Sequence, residues 1–212
     1  MPQLSLLQFG FTKAPQRIKL DDQCWYIRSI VPDAQVPDFA ALWQLHPEEL
    51  GVIKIHGHPV STPCYIQSYG EDYYFSGELH KGQPVPDILN PLLSWARATF
   101  HRNFNQVLVN WYENESHYIG CHSDDMRNLV EDSPIVSISF GASCNFRIRG
   151  KHTTFRTDIV LEHKSVIVMG GKMQMYYTHE ITKATVPTGP RINITFREMK
   201  KPVQGTKRKI VE

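Results

Sequence analysis

The 212-residue sequence predicts an α+β, mainly β protein with a double-sheet or jelly-roll core. Three observations carry that expectation. From Phe104 onward, the segments 106–112, 134–141, 144–149, 158–162, 165–169, 174–178 and 191–197 are short, β-branched or alternating, with turn residues between them. That density of short strands suits two packed sheets. Helical periodicity is confined to the N-terminal half, at 37–45 and 86–100. Finally, Arg191–Arg197 alternates without a fault: Ile192, Ile194 and Phe196 form one face, and Arg191, Asn193, Thr195 and Arg197 the other.

Composition agrees with one globular domain. Hydrophobic residues make up 41% and charged residues 21% of the chain. A chain of this size buries roughly 70% of its unfolded surface. It has no apolar run of about 18 residues, so no membrane span is expected. The opening MPQLSLLQFGF has no basic region, long apolar stretch or small-residue cleavage site, so a secretory signal is not expected. The scattered Cys24, Cys64, Cys121 and Cys144 form no C-x-x-C pair and read as reduced thiols of an intracellular protein. A monomer is expected. The net charge of +2 neither demands nor excludes a nucleic-acid partner.

Residues 1–20 form a mixed N-terminal segment. Gln3, Leu6 and Phe9 have the Q-x-x-L-x-x-F spacing of a sliding-clamp-binding peptide; apolar packing on the domain explains the same residues. In 37–45, Phe39, Leu42 and Trp43 share one side of a short helix. Residues 51–80 are broken by Gly and Pro and dense in aromatics. Tyr65, Tyr69, Tyr73, Tyr74 and Phe75 read either as core residues or as a stacking platform for a flat ligand. In 86–100, Ile88, Leu92, Leu93, Trp95 and Phe100 form the apolar side of a helix. The tail 201–212 is basic and expected to be disordered, either solvated or an arm for phosphate or nuclear addressing.

His122-Ser123-Asp124 places an imidazole and a carboxylate two residues apart, hence on one face of a strand, where both can bind one metal ion. The strand 191–197 sets two guanidinium forks on one face. Buried there, they need anions, and a small dicarboxylate lying along the strand would satisfy both. Downstream histidines are His152, His163 and His179. His163 is expected to support a turn. Two histidines and a carboxylate bound facially suit a non-haem Fe(II) oxygenase. Zinc uses the same ligand types, but the arginines favour iron with an organic co-substrate.

Together, His122-x-Asp124, His179 and the R-x-N-x-T-x-R strand resemble the AlkB family of Fe(II)/2-oxoglutarate dioxygenases. The likeness extends to Asn110-Trp111-Tyr112, Pro134–Gly141 and Leu161–Gly170, and covers about residues 62–200. It implies a double-stranded β-helix core at 21–200 with N-terminal helices and a nucleotide-recognition lid at about 51–80. The metal ligands, which are the catalytic residues, would be His122, Asp124 and His179. The co-substrate contacts would be Asn110, Tyr112, Arg191, Asn193 and Arg197. Arg191 with Tyr112 would hold the distal carboxylate of 2-oxoglutarate. Arg197 with Asn193 would support the carboxylate nearer the metal. The implied cofactors are Fe(II), 2-oxoglutarate and O2.

Tyr73-Tyr74-Phe75-Ser76-Gly77 is similar to the Y-x-F-S-G segment of members that repair 1-methyladenine and 3-methylcytosine. By that likeness Phe75 stacks on a flipped base opposite His122, Tyr73 and Ser76 line its pocket, and Asp125 faces its exocyclic amine. The implied activity is oxidative demethylation of alkylated DNA, releasing formaldehyde and succinate, in the nucleus of a eukaryote or otherwise the cytoplasm. RNA or protein is the alternative substrate. Where members commonly carry Pro-Arg ahead of the lid, this chain has Pro63-Cys64, which favours single strands over duplex. Arg147, Arg149, Lys151 and His152 read either as a phosphate-tracking strand and turn or as ordinary surface charge. His56 is a candidate contact in the lid loop.

Overall fold

The computed structural model describes residues 14–55, 58–75 and 78–200. Gln3, Leu6, Phe9, His56, Ser76 and the tail 201–212 lie outside the described residues, as does the side chain of Phe75. In chain order the elements are β1 (Gln16–Lys19), β2 (Cys24–Ile30), α1 (Phe39–Trp43), β3 (Val52–Ile55), β4 (His58–Ser61), β5 (Tyr65–Gly70), β6 (Tyr73–Phe75), β7 (Glu78–His80), α2 (Asn90–Phe100), β8 (Gln106–Tyr112), β9 (Ile119–His122), β10 (Ile135–Gly141), β11 (Cys144–Gly150), β12 (Arg156–Leu161), β13 (Ser165–Gly171), α3 (Met173–Tyr176), β14 (Tyr177–Ile181) and β15 (Arg191–Arg197).

Two antiparallel sheets make the core. The larger runs β1-β2-β13-β10-β15-β8-β5 and the smaller β12-β11-β14-β9. Hairpins β3-β4 and β6-β7 are separate two-stranded pieces within the stretch expected to be a lid. The period-2 pattern of the larger sheet explains its two faces. Val107, Val109, Trp111, Val136, Ile138, Phe140, Ile192, Ile194 and Phe196 pack with Leu92, Leu93, Trp95 and Ala96 of α2. Leu108, Tyr112, Ile135, Ile167 and Met169 face Phe146, Ile148, Ile159, Leu161 and Ile181 of the smaller sheet. The result is a helical layer, a large sheet and a small sheet.

Local sequence fixes the helices. The Asp38 side chain accepts from the Ala41 N–H at 2.7 Å and caps α1. Pro91 sits in the first turn of α2, where its missing N–H leaves no bond unmade. That helix stops at His101, which is left-handed with φ 50°. Trp111 Nε1 donates to Leu42 O at 3.0 Å, tying the end of α1 to the middle of the sheet.

Strand β15 is interior, between β10 and β8, and all its residues are buried. Burying each of Ile192, Ile194 and Phe196 against α2 stabilises by about 1.5–3 kcal/mol. Arg191, Asn193, Thr195 and Arg197 turn toward the gap between the sheets, where no such gain exists and every polar group needs a partner.

One expectation is corrected and two open alternatives are narrowed. Segment 174–178 is not a strand: α3 is a single helical turn followed by β14. Its neighbours Met173 and Gln174 are both buried while Met175 and Tyr176 are exposed, a pairing that strand alternation cannot give. The aromatic run does not form one platform. Tyr65 stacks on His46 with centroids 4.7 Å apart, Tyr69 belongs to the helix-side core, and Tyr74 lies against Arg127. Arg147 and Arg149 are not free to track phosphates. Arg147 is bidentate to Asp158 at 2.6 and 2.7 Å, Arg149 donates to Glu180 at 2.9 Å, and Lys151 donates to the Gln174 carbonyl.

Candidate active site

Strand pairing brings the two histidines together. His122 ends β9 and lies directly across from His179 in the middle of β14, their ring centroids 4.3 Å apart. Asp124 stands just past the end of β9 rather than on it, so strand alternation does not place it. The loop is pinned residue by residue. Ser123 Oγ donates to Tyr177 O at 2.8 Å, the Asp124 N–H donates to Gln174 Oε1 at 2.9 Å, and the Asp125 N–H donates to the Tyr73 oxygen at 3.3 Å.

Three atoms converge as a result. Asp124 Oδ1 lies 3.7 Å from His122 Nε2 and 3.7 Å from His179 Nε2. Among the described residues, this is the group of His, Cys, Asp and Glu side chains able to hold a metal ion, with ligand atoms all within 4.8 Å of one another. His122 Nδ1 donates to Gly120 O at 2.8 Å, which leaves Nε2 with a free lone pair. Burial pushes His179 down, with His122 acting in the same direction, to about 3, so its ring is neutral and ready to ligate. Burial alone would raise the Asp124 carboxyl, but Arg197, His179 and His122 outweigh it and hold it at about 2. Two neutral imidazoles and one carboxylate fit a divalent metal that accepts N and O ligands, as Fe(II) does.

The arginine strand serves this centre. Arg197 Nε and Nη2 both donate to Asp124 Oδ2, at 3.0 and 2.8 Å, and Nη1 donates to Gln106 Oε1 at 3.0 Å. Its guanidinium also lies 4.2 Å from the Tyr73 ring centroid. Asn193 does not join it. The Asn193 carbonyl accepts from Ser137, Ser139 and Arg191, and its amide donates to Thr195. Arg197 thus bonds Asp124 and Gln106, while Arg191 bonds Asn193.

Arg191 lies over the Tyr112 ring at 4.6 Å, and its Nη2 donates to Ser139 Oγ at 2.9 Å. Its Nε and Nη1 are buried with no hydrogen-bond partner. Two orphaned N–H groups on a buried cation mark a missing anion. Asn110 Nδ2 meets Cys64 Sγ at 3.7 Å. Asn110, Tyr112, Asn193, Thr195 and Arg197 border a narrow chamber shared with His122, Asp124 and His179. The residue set thus fits a small dicarboxylate beside a metal ion.

In front of the chamber is a cleft of about 510 Å³, lined among others by Ile53, Val60, Ile66, Tyr73, Tyr118 and Asp125. Tyr73 and Asp125 both line this cleft. His163 is not in the site: its Nδ1 accepts from the Gly141 N–H at 3.1 Å, a turn support as expected. Sequence reasoning missed Gln106, Gln174, Ser139 and Arg127. Gln106 faces Arg197 across β8 and β15, a register that no local pattern reveals. Arg127, two residues beyond Asp125, carried a readable signal in its spacing.

The 2OG-Fe(II) oxygenase superfamily family model matches residues 54–197. DNA oxidative demethylase ALKBH2 of Bos taurus is 32% identical over 71% of this chain and 58% of its own length. The Homo sapiens ALKBH2 is 31% identical over 71% of this chain and 62% of its own length. Alpha-ketoglutarate-dependent dioxygenase alkB homolog 3 of Mus musculus is 31% identical over 97% of this chain and 73% of its own length. The chain thus spans about three-fifths of these two ALKBH2 relatives. Among solved structures, OsALKBH1 shares the fold, with a TM-score of 0.55 at 16% identity, covering 86% of this chain and 100% of that one. The chain belongs to the AlkB family of 2OG-Fe(II) oxygenases. That family defines the expected cofactors as Fe(II) and 2-oxoglutarate, with O2. Among the described residues no helix is long and apolar enough to cross a membrane.

Proposed function

We propose that this protein is an oxidative demethylase of N-methylated nucleobases in DNA, of the 1-methyladenine and 3-methylcytosine type. The observation that carries the reading is the junction of two cavities at one set of residues. His122, Asp124, Asn110 and Arg197 border both the inner chamber and the front cleft. A group deep in the cleft therefore meets the metal ligands where the inner chamber opens onto it.

His122, Asp124 and His179 would hold Fe(II), which would supply the oxidising chemistry coupled to conversion of 2-oxoglutarate into succinate and CO2. Arg191 provides two free N–H donors for the distal carboxylate, with Tyr112 as the floor under its guanidinium. Asn193 holds Arg191 in place, and Asn110 and Arg197 border the end nearer the metal ligands. Arg197 also keeps Asp124 ionised and oriented. Tyr73 is fixed between Arg197 and the Asp125 N–H, so the cleft wall is rigid next to the site. By their resemblance to repair members, Phe75 and Ser76 are assigned to recognition of the base. The hydroxylated methyl collapses to the free base and formaldehyde.

The ALKBH2 relatives, named DNA oxidative demethylases, support methylated DNA as substrate, and the alkB homolog 3 relative supports the 2-oxoglutarate dependence. Formaldehyde and succinate are measured with oligonucleotides carrying 1-methyladenine or 3-methylcytosine, as single-stranded DNA, duplex DNA and RNA. Release is expected from DNA, with single strands favoured. Release from RNA alone reassigns the substrate, and no release from any nucleic acid defeats the reading.

A further inference from the structure

We propose that Arg127 is a positioning residue that leaves Asp125 one open acceptor site toward the cleft, and so makes the site select methylated bases that retain an exocyclic amino group. The inference rests on the reading of the front cleft as a base pocket. It concerns a residue that lies outside the metal and co-substrate sets.

The geometry is specific. The Arg127 backbone N–H donates to Asp125 Oδ1 at 2.9 Å. Its Nε lies 3.0 Å from Oδ1 and 2.9 Å from Oδ2, and its Nη2 donates to Oδ2. An ionised carboxylate has about four lone-pair directions. The backbone N–H takes one direction on Oδ1, Nη2 takes one on Oδ2, and the single Nε–H is shared between the two oxygens, so about one direction of the four stays open. Asp125 itself lines the cleft, with its N–H held by the Tyr73 oxygen. Its backbone and one edge of its carboxylate are thus fixed, and the remaining acceptor is aimed rather than free to turn.

The other side of Arg127 reaches the lid. Its guanidinium lies 5.0 Å from the centroid of the Tyr74 ring, and Tyr74 is on β6, between Tyr73 and Phe75. One side chain therefore joins the loop after the metal ligands to the strand that carries the proposed base-stacking segment. A lone exposed ion pair contributes little to stability. A fork locked on both oxygens and stacked on an aromatic ring has a different use, which is to fix direction.

Direction decides base choice. A carboxylate accepts a hydrogen bond from an amino group and repels a carbonyl oxygen in the same place. 3-Methylcytosine and 3-methylthymine form the critical pair, with amino and oxo groups at one ring position. A site whose buried acceptor must be satisfied discriminates strongly between such pairs. Without Arg127 the carboxylate can rotate, hydrate and retreat from the oxo group, so discrimination falls.

The test compares kcat/KM for single-stranded oligonucleotides carrying 3-methylcytosine or 3-methylthymine. Arg127→Met is expected to lower the preference for the amino base by about tenfold, the scale of one hydrogen bond to a charged group. Arg127→Lys, which keeps the charge but loses the fork, recovers part of that preference. In an Asp125→Asn background, Arg127→Met is expected to have no further effect on the ratio. A purely structural role moves both substrates together and leaves the ratio unchanged, and that result overturns the proposal. If the wild-type protein demethylates neither oligonucleotide, the base-pocket reading itself falls. If it demethylates them and the ratio is unmoved in Arg127→Met, the assignment of Arg127 alone falls.

Discussion

Replacing Arg197 with methionine isolates the electrostatics of the metal site. Asp124 and Arg197 are buried together, with side chains 4% and 3% exposed, and two N–H groups of the arginine converge on one carboxylate oxygen at 3.0 and 2.8 Å. Arg197→Met leaves Asp124 charged and buried without its arginine partner. Breaking a buried pair in this way costs about 3–5 kcal/mol. For a chain of this size, each kcal/mol lowers Tm by about 2–4 °C, so metal-free protein should melt about 6–20 °C lower. Asp124→Asn removes the charge that makes the loss expensive, so the two substitutions should be strongly non-additive, with a coupling of about 2 kcal/mol or more. Calorimetry of the four proteins in chelator gives the cycle directly. Added Mn2+ or Zn2+ should recover part of the loss in Arg197→Met, since a bound cation gives Asp124 another partner. Additive effects in the cycle, or a loss below about 1 kcal/mol for Arg197→Met, would refute the view that this pair organises the site.

Other expectations follow from the same geometry. His122→Ala and His179→Ala should each abolish both turnover and tight metal binding; isothermal titration with Mn2+ that still shows one tight site would remove the residue from the ligand set. Gln106→Leu strips the partner from Arg197 Nη1, which is buried, and should cost about 1–3 kcal/mol in urea unfolding. Arg191→Met should weaken 2-oxoglutarate binding more than nucleic-acid binding, as read by titration of each ligand separately; equal losses would argue for a general structural defect. In metal-free protein, the depressed His179 gives a pH slope of definite sign. Between the ordinary histidine value near 6.5 and about 3, the unfolded chain binds a proton that the folded chain refuses, so stability falls as pH falls. From pH 7 to 5.5, the loss from this one group is about 1 kcal/mol, and His179→Gln should remove that part of the slope.

The sequence made the β architecture legible because strand alternation and turn residues are local signals. Strand β15 shows this best: its alternation named both the core face and the polar face, and the structure keeps each. The metal ligands were legible as residue types in order, yet the reason that His122 and His179 meet is cross-strand register, which belongs to the assembled sheet. The same limit hid Gln106 behind Arg197. It also hid the bond from Arg197 to Asp124, whose partners lie far apart in sequence. The aromatic run 65–75 misled in another way. It spans β5, a turn and β6, so adjacent rings enter different layers of the fold. The short turn α3 escaped because hydrophobic pattern over four residues does not separate a helical turn from a strand end.

The two faces of β15 carry a consequence for how this protein can change. One strand supplies part of the hydrophobic layer under α2 and, on its other face, the buried Arg191 and the Arg197 of the inner chamber, in strict alternation. Single substitutions can vary either face without touching the other. An insertion or deletion of one residue cannot, since it would turn every later side chain over, driving guanidinium groups under the helix and isoleucine toward the metal ligands. Length, more than identity, is the inherited quantity in this strand, and drift in this site is channelled into replacements while its loops remain free to grow and shrink.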